Sequence, residues 1–200
     1  MTDMLPNVVA LNAALPKFPI TVSDKGWVYG VWYCGTSWQK VSLHGQYPPT
    51  FLKRALALFP GAKDILHCPS GTVTGPGLTI DAVKDSVRCP QVVADAATLP
   101  LRDNSLDLIL SDPPYSPKDS AKYGQPPFPL QAFMRECHRT LRPGGCLGML
   151  HFYYPSYRRK NWKLIGLIAV VTGFQRATRM FSIFERLPIP QTHPDLGEPS

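Results

Sequence analysis

The chain has 200 residues, a formal net charge of +7 at pH 7 and an isoelectric point near 9.3. It is long enough to bury a core as one domain, and its longest apolar run, around residues 164–171, is too short to cross a membrane. The five cysteines form no Cys-x-x-Cys pair, so neither a metal site nor a disulfide framework is indicated, and a reduced cytoplasmic protein is expected. The positive charge favours a polyanionic partner.

The first 59 residues are predicted to contain an extension, a strand and a helix. Residues 1–25 lack firm periodicity, although residues 8–15 could form a short helix; we treat them as an N-terminal extension of a domain at 26–187. Residues 27–33 alternate aromatic and β-branched side chains, as in an edge strand or hairpin arm. Residues 51–59 place apolar side chains on one helical face, and Pro60-Gly61 ends that helix.

Two of the next three predicted strands end in a carboxylate. The first strand and its glycine loop occupy residues 64–72, where Gly71 lets backbone amides approach a ligand. The second ends at Asp81, a position suited to accepting the ribose hydroxyls of an adenosine cofactor, unless Asp81 only caps residues 82–87. The third, residues 91–95, ends at Asp95. Gly71 and Asp81 are ten positions apart, which shortens the first crossover to a turn.

The run Leu106-Asp107-Leu108-Ile109-Leu110 predicts a buried parallel strand, and the segment Ser111-Asp112-Pro113-Pro114-Tyr115 follows it directly. Proline cannot continue a ladder, and ligands of open α/β sheets bind at the carboxyl ends of the strands. The Asp112 carboxylate and the Pro113 carbonyl could accept the two hydrogens of an amino group while Tyr115 stacks on a planar ring. The segment therefore predicts a site for a base that carries an exocyclic amino group.

Residues 116–129 lack an apolar period and are expected to form a loop over this site, with Lys118, Lys122 and Tyr123 as candidates for contacts with phosphate and base. An amphipathic helix is predicted over residues 130–141. It ends in Arg142-Pro143-Gly144-Gly145, and an apolar strand at 146–152 follows.

A basic cluster, Arg158-Arg159-Lys160 with Lys163, precedes a predicted helix at residues 164–171. Cations at a helix N-terminus oppose its dipole, so phosphate contact is an alternative to a solvated face. Residues 174–187 are β-rich and suit a closing antiparallel strand, and the tail at 188–200 is expected to be disordered.

The Asp-Pro-Pro-Tyr tetrapeptide resembles the catalytic motif of class I S-adenosylmethionine-dependent amino methyltransferases. The Asp-Ala…Leu-Pro segment at 95–100 and the Leu-Arg-Pro-Gly-Gly segment at 141–145 are similar to further segments of that family and occur in its order. The resemblance implies an α/β fold: a single Rossmann-like domain whose mostly parallel, seven-stranded sheet has an antiparallel closing strand. It also implies that Asp112, Pro113, Pro114 and Tyr115 are catalytic.

The same resemblance implies a binding site for S-adenosyl-L-methionine. Tyr47 and Pro48, before the amphipathic helix, would close over the methionine end, and Asp95 and Ala96 would hold the adenine ring. The remaining cofactor-binding candidates are His67, Pro69, Ser70, Gly71, Asp81 and Asp112. The chain departs from the family pattern in having His67 at the usual acidic position and Val73 at the second glycine.

The expected function is methyl transfer to the exocyclic amino group of a DNA base, adenine-N6 or cytosine-N4. The Tyr-Pro helix before the glycine loop favours DNA, and Lys118, Lys122, Tyr123 and the basic cluster are the candidate nucleic-acid contacts. Two alternatives stay open: an RNA guanine-N2 methyltransferase, and a nucleic-acid-binding protein of the same fold that has lost activity.

Overall fold

The computed structural model describes residues 5–35, 47–122, 124–173 and 178–188. The helices in these ranges are α1 (Val8–Ala14), α2 (Phe51–Leu58), α3 (Pro117–Lys122) and α4 (Leu130–Thr140). The strands are β1 (Thr21–Val22), β2 (Val28–Tyr33), β3 (Ile65–His67), β4 (Leu78–Asp81), β5 (Val92–Val93), β6 (Leu106–Ser111), β7 (Leu141–His151), β8 (Trp162–Val171) and β9 (Arg179–Arg186).

All of these strands form one sheet in the order β1-β2-β8-β9-β7-β6-β3-β4-β5. The sheet is mixed and mostly parallel, as predicted, and β9 lies antiparallel between β7 and β8. It has nine strands in the described part of the chain instead of the predicted seven. The two strands beyond the predicted ones are β1, within the predicted N-terminal extension, and β8, in the range predicted as a helix, whereas β2 is the edge strand predicted at residues 27–33.

The N-terminal residues pack into the core. Val8, Leu11 and Ile20 are buried in the same hydrophobic cluster as Trp32 of β2. The Asn7 side chain caps α1 by accepting a hydrogen bond from the Ala10 N–H at 2.9 Å. The segment predicted as an extension therefore covers one face of the sheet together with α2.

Residues 164–171 are a strand, and the predicted helix there is wrong. β8 pairs with β2 on one side and with β9 on the other, and most of its side chains are buried. A strand buried on both faces is apolar without alternation, so its sequence cannot be distinguished from that of a buried helix by periodicity. The dipole argument for the basic cluster is lost with that helix.

Smaller differences concern the loops. The segment 116–129 is not wholly a loop, because α3 lies within it, and the third predicted strand is reduced to the two residues of β5. β7 begins at Leu141, directly after α4, and includes the predicted turn at 142–145, where Gly144 has a φ of 82°. The described strand near the C-terminus is β9, within the predicted range 174–187.

The two faces of the sheet are covered unequally. On one face, α1 and α2 pack over Trp32, Phe51 and Phe181, whose ring centroids lie 5.0–6.0 Å apart. On the other face, α4 buries Phe133 and Cys137. The connections from β3 to β4, β4 to β5 and β5 to β6, all within described residues, contain no helix. Short loops therefore form the carboxyl-end edge around β3, β4 and β5.

Candidate active site

Asp112 follows the last residue of β6, a strand whose six residues are all buried. Its side chain is 12% exposed, and each carboxylate oxygen faces a polar partner. The Tyr115 hydroxyl donates a hydrogen bond to Oδ1, and Nη1 of Arg179 lies 3.5 Å from Oδ2. Strand β6 thus delivers a largely buried carboxylate to the carboxyl-end edge of the sheet, as the sequence predicted for the segment after it, and we refer to the surroundings of Asp112 as the crevice.

The surroundings tune the protonation of this carboxylate. Burial raises the pKa of Asp112 to about 6, while the Arg179 charge and the Tyr115 hydrogen bond oppose that rise. At pH 7 Asp112 is therefore mostly ionised but far more basic than an exposed aspartate. Burial and the Asp112 charge raise the pKa of Tyr115, so its hydroxyl keeps its proton and acts as a donor.

Tyr115 lies in a group of aromatic and cationic side chains. Its ring centroid is 4.8 Å from that of His151 and 4.6 Å from that of Phe152, both in edge-on geometry. The Arg179 guanidinium carbon lies 5.5 Å from the Tyr115 ring centroid. From the sequence, Tyr115 was predicted to stack only, and Arg179, His151 and Phe152 were not predicted to belong to this site. Arg179 begins β9, and its one sequence signal is a charge directly before the mostly apolar run at residues 180–184 of a strand that also ends in charged residues.

The glycine loop after β3 is tied to the end of β4. The Gly71 N–H donates to Asp81 Oδ2 at 2.9 Å, and the Val83 N–H donates to Oδ1 at 3.2 Å. Gly71 has a φ of 54°, in the left-handed region that favours glycine. Asp81 therefore closes the loop where a crossover helix is missing. Each of its oxygens keeps a second lone pair for a ligand.

Two polar side chains in this region have buried atoms without a hydrogen-bond partner in the described part of the chain. One is Ser70 Oγ, and the other is Nδ1 of His67. Nε2 of His67 lies 3.0 Å from the Pro76 carbonyl oxygen, so it carries the proton and Nδ1 is an acceptor. Burial lowers the pKa of His67, which keeps the ring neutral.

Asp95 and Ala96 lie just beyond β5. Asp95 is exposed and accepts a 2.8 Å hydrogen bond from the Ala97 N–H, whereas Ala96 is buried in the core under α4. Burial raises the pKa of Cys68, and the charges of Asp81 and Asp95 raise it further. The charges of both acids thus influence the Cys68 thiol, which follows β3 directly. The two predicted cofactor-binding acids therefore lie at the same edge of the sheet.

Tyr47 and Pro48 connect this edge to the Asp112 crevice. The Tyr47 ring centroid is 5.1 Å from that of Phe51 and 6.2 Å from that of His67, and Pro48 is buried. Burial raises the pKa of Tyr47 well above its usual value, and the Asp112 and Cys68 charges add to the rise. Its hydroxyl is a further buried polar atom without a partner among the described residues.

These side chains fit an adenosine cofactor with a polar tail. Asp81 and Asp95 supply acceptors for hydroxyl and amino hydrogens, and the unpaired hydroxyls of Tyr47 and Ser70 supply donors. Buried polar atoms normally have partners, so the unpaired ones call for a ligand or water. Pro69 is partly buried in the loop between His67 and Ser70.

The predicted nucleic-acid contacts in the described residues fall into two separate regions. Lys118 and Lys122 are exposed on α3 near the crevice, and Lys122 pairs with Asp119 at 2.7 Å. Tyr123 lies outside the described residues. The basic cluster lies at the other end of the sheet.

Strand register places that cluster. Lys163 of β8 pairs with Glu185 of β9, and Glu185 pairs with Cys146 of β7. Cys146 in turn pairs with Leu108 of β6, which lies four residues before Asp112. Lys163 is thus roughly 13 Å from Asp112 along the strands and, three strands away, roughly 14 Å across them. Residues 158–160 form a turn directly before β8, at its amino end. The structure therefore separates the cluster from Lys118 and Lys122, with which it was predicted to hold the phosphates of DNA.

Other features add no second site. Among the described residues no group of three His, Cys, Asp or Glu side chains could hold a metal ion, and no described helix has the length and apolarity needed to cross a membrane. A cleft of about 470 Å³ between Lys63, Leu78 and Leu101 opens at the amino ends of β3, β4 and β6, away from Asp112.

Comparisons with known proteins bear on the fold. The sequence matches no protein family model and no curated protein. Among solved structures, TrmN from Thermus thermophilus is similar with a TM-score of 0.50 at 19% identity over 73% of this chain and 51% of that one. The chain thus spans about half the length of TrmN. The yhhF protein of Escherichia coli, described as a candidate methyltransferase, gives a TM-score of 0.48 at 13% identity over 78% of this chain and 97% of that one. The chain shares its mixed α/β fold with TrmN, and at this identity the likeness concerns the fold alone.

Proposed function

We propose that this protein transfers a methyl group from S-adenosyl-L-methionine to the exocyclic amino group of a DNA base, adenine-N6 or cytosine-N4. The observation that carries the proposal is the Asp112 carboxylate, held at the end of buried β6 by Tyr115 and Arg179. It stands next to an edge where Asp81, Asp95 and unpaired buried hydroxyls fit an adenosine cofactor. The mixed α/β fold, which the chain shares with TrmN, is compatible with methyl transfer and carries no information on the choice of DNA.

In this reaction a weakly nucleophilic amino nitrogen must attack the methyl group in line with the bond that breaks. The amino lone pair of adenine or cytosine is conjugated into the ring, and the bound cofactor supplies an electrophilic methyl group on sulfur. Hydrogen bonds from the amino group to Asp112 and to the Pro113 carbonyl favour a tetrahedral nitrogen with its lone pair free. The catalytic contribution of these groups is therefore orientation and charge complementarity.

Asp112 can also accept the proton that methyl transfer releases. The nitrogen gains a bond and a positive charge, so it must lose one hydrogen as a proton. A carboxylate with a pKa of about 6 is a far stronger base than that cationic nitrogen. Arg179 stabilises the carboxylate before the transfer, and water can remove the proton from Asp112 afterwards.

Tyr115 and the cofactor-facing residues complete the assignment. The Tyr115 hydroxyl holds Asp112 in place, and its ring, beside Phe152, offers one wall for the base. Tyr47 and Pro48 lie between the base crevice and the glycine loop, where they could cover the sulfonium. The likeness of this Tyr-Pro helix to that of DNA enzymes is the reason for proposing DNA over RNA.

The test is incubation of the full chain with methyl-labelled cofactor and separate DNA and RNA pools, followed by identification of the modified nucleoside. We expect N6-methyladenine or N4-methylcytosine from DNA. Asp112→Ala should abolish transfer while keeping most cofactor affinity, and Asp24→Ala, an exposed aspartate in the N-terminal region, is the matched control. N2-methylguanine in RNA would replace the DNA assignment, and cofactor-independent binding without transfer would support the inactive binding protein.

A further inference from the structure

Three consecutive aromatic side chains are exposed immediately after β7. Phe152, Tyr153 and Tyr154 are 47%, 57% and 48% exposed, and we refer to them as the aromatic shelf. They lie in no helix or strand, so strand pairing does not account for three large rings there. Three consecutive exposed rings make this segment a candidate interaction surface.

The aromatic shelf is continuous with the catalytic loop. Phe152 contacts Tyr115 with 4.6 Å between ring centroids, and Tyr153 contacts His151 with 4.3 Å between ring centroids. The Tyr153 N–H also donates to His151 Nδ1 at 3.4 Å, which fixes the backbone beneath the ring. His151 in turn contacts Tyr115 at 4.8 Å. A row of rings thus extends from the base crevice to the surface.

The aromatic rings of this row favour a single-stranded nucleic acid as the partner. Base faces stack on aromatic rings without regard to sequence, and single strands present those faces. In a duplex the faces are covered by neighbouring base pairs, and only edges and phosphates are accessible. The chain has a net charge of +7, and Lys118 on α3 and Arg179 place cations near the same loop, as a phosphate backbone requires.

We propose that the aromatic shelf stacks with nucleotides that flank the target base, and that the substrate is a single-stranded segment of DNA. The inference rests on the proposed function and specifies its substrate. An unpaired target also avoids the few kcal/mol needed to extrude a base from a duplex. A single-stranded substrate also does not need phosphate contacts with the basic cluster, which lies away from the crevice.

The first test measures binding alone. Fluorescence anisotropy with a labelled 12-nucleotide single-stranded DNA, the same sequence as a duplex, and single-stranded RNA compares the three partners on the full chain. We expect the single strand of DNA to bind more tightly than the duplex. Tyr153→Ala and Tyr154→Ala should each weaken single-strand binding by roughly 5- to 150-fold, the range for losing one stacked base.

Controls separate stacking from apolar contact and from folding. Tyr153→Trp should retain affinity and Tyr153→Leu should not, because only the first keeps an aromatic face. Tyr29→Ala is the matched control: Tyr29 is 48% exposed on β2, three strands from β7 in the sheet, and its loss should leave binding unchanged. Unchanged thermal unfolding of each variant shows that the fold is intact.

The outcomes distinguish the two proposals. Equal or tighter binding of duplex, or parental affinity in both alanine variants, overturns the single-strand inference, and methyl transfer to duplex DNA would leave the proposed function standing. Tighter binding to RNA with the same loss in Tyr153→Ala overturns the choice of DNA. Absence of methyl transfer to any nucleic acid refutes the proposed function, while shelf-dependent binding of the single strand would still be measured.

Discussion

Removing the positive charge of Arg179 should move the pH dependence of methyl transfer to higher pH. Arg179 faces Asp112 at 3.5 Å and opposes the effect of burial on that carboxylate. Without the cation the carboxylate is harder to ionise, so the pKa of Asp112 rises above its present value of about 6. Arg179→Gln keeps hydrogen-bonding capacity and removes the charge, and Arg179→Lys keeps the charge.

The distance sets the size of the effect. Two unit charges 3.5 Å apart interact by about 1 kcal/mol in water and by about 5 kcal/mol at an effective dielectric of ~20. Arg179 is 26% exposed and Asp112 12% exposed, so solvent screens the pair in part and about 1.5–3 kcal/mol is expected. A change of 1.36 kcal/mol corresponds to one pKa unit. The acid limb of the pH profile, where activity falls as Asp112 becomes protonated, should therefore move up by about one to two pH units.

The assay is kcat/KM for methyl transfer between pH 4.5 and 9 on a DNA oligonucleotide. The parent should lose activity as the pH falls through about 6, because Asp112 becomes protonated and can no longer accept the amino hydrogen. At pH 7 Arg179→Gln should be about two- to tenfold slower, and raising the pH should recover most of the loss. Arg179→Lys should stay close to the parental profile.

A matched control is Arg159→Gln, which removes one exposed cation at the far end of the sheet. Its acid limb should not move, although weaker binding of nucleic acid could raise KM at every pH. The reasoning about Arg179 fails if Arg179→Gln keeps the parental acid limb. It also fails if that variant loses activity by one constant factor across the pH range, because a positional role would then explain the loss.

Three further outcomes are expected. Tyr115→Phe should retain more activity than Tyr115→Ala, and equal activity in these two variants would exclude a role for the ring. Tyr115→Phe should also shift the acid limb of the pH profile upward by less than Arg179→Gln does. Asp81→Ala should weaken cofactor binding by roughly 1.5–3 kcal/mol in calorimetry, since it removes charged acceptors and loosens Gly71, and unchanged affinity would refute that role. Asp107 accepts N–H groups and pairs with Arg142, and these contacts outweigh burial to hold its pKa below the usual value. Its stabilisation is therefore present near pH 7 and lost as the pH falls through that lowered pKa, so Asp107→Ala should destabilise the protein in urea by about 1–3 kcal/mol at pH 7 and progressively less as the pH falls below the usual pKa of an aspartate.

The sequence was most informative where the relevant signals are local. A short apolar strand followed by Asp112 and two prolines leaves few alternatives, and the structure has that strand and loop as predicted. The acids Asp81 and Asp95 were identified for the same reason, since Asp81 ends β4 and Asp95 lies two residues beyond β5. Parallel pairing then brings strand ends to one edge, so sequence order sufficed to group these residues.

Contacts between distant segments could not be predicted in that way. Arg179 reaches Asp112 because β9 runs antiparallel beside β7, which places its first residue at the carboxyl edge. A β-rich sequence indicates neither the neighbour of a strand nor its direction. The aromatic shelf was overlooked for a related reason: Phe152 ends an apolar run and was interpreted as part of a buried strand.

The basic cluster shows how one wrong element misplaces a site. As a helix, residues 164–171 could have carried Arg158 and Arg159 toward the crevice. As β8 they run parallel to β6, so the cluster before β8 lies at the amino edge while Asp112 lies at the carboxyl edge. Direction within the sheet, and not distance in sequence, decides which charges can share a ligand.

The missing helices change how the cofactor edge must be held. A glycine loop followed by a helix can bind a ligand through the helix N-terminus, but here ten residues link β3 to β4 and contain no helix. Asp81 takes over part of that task by accepting the Gly71 and Val83 N–H groups from a buried position. Its carboxylate would then serve two functions, loop closure and ribose binding. Because both depend on one side chain, Asp81→Asn, which keeps an acceptor oxygen but loses the charge, should preserve the fold better than cofactor affinity, and an equal loss of both would assign Asp81 to the loop alone.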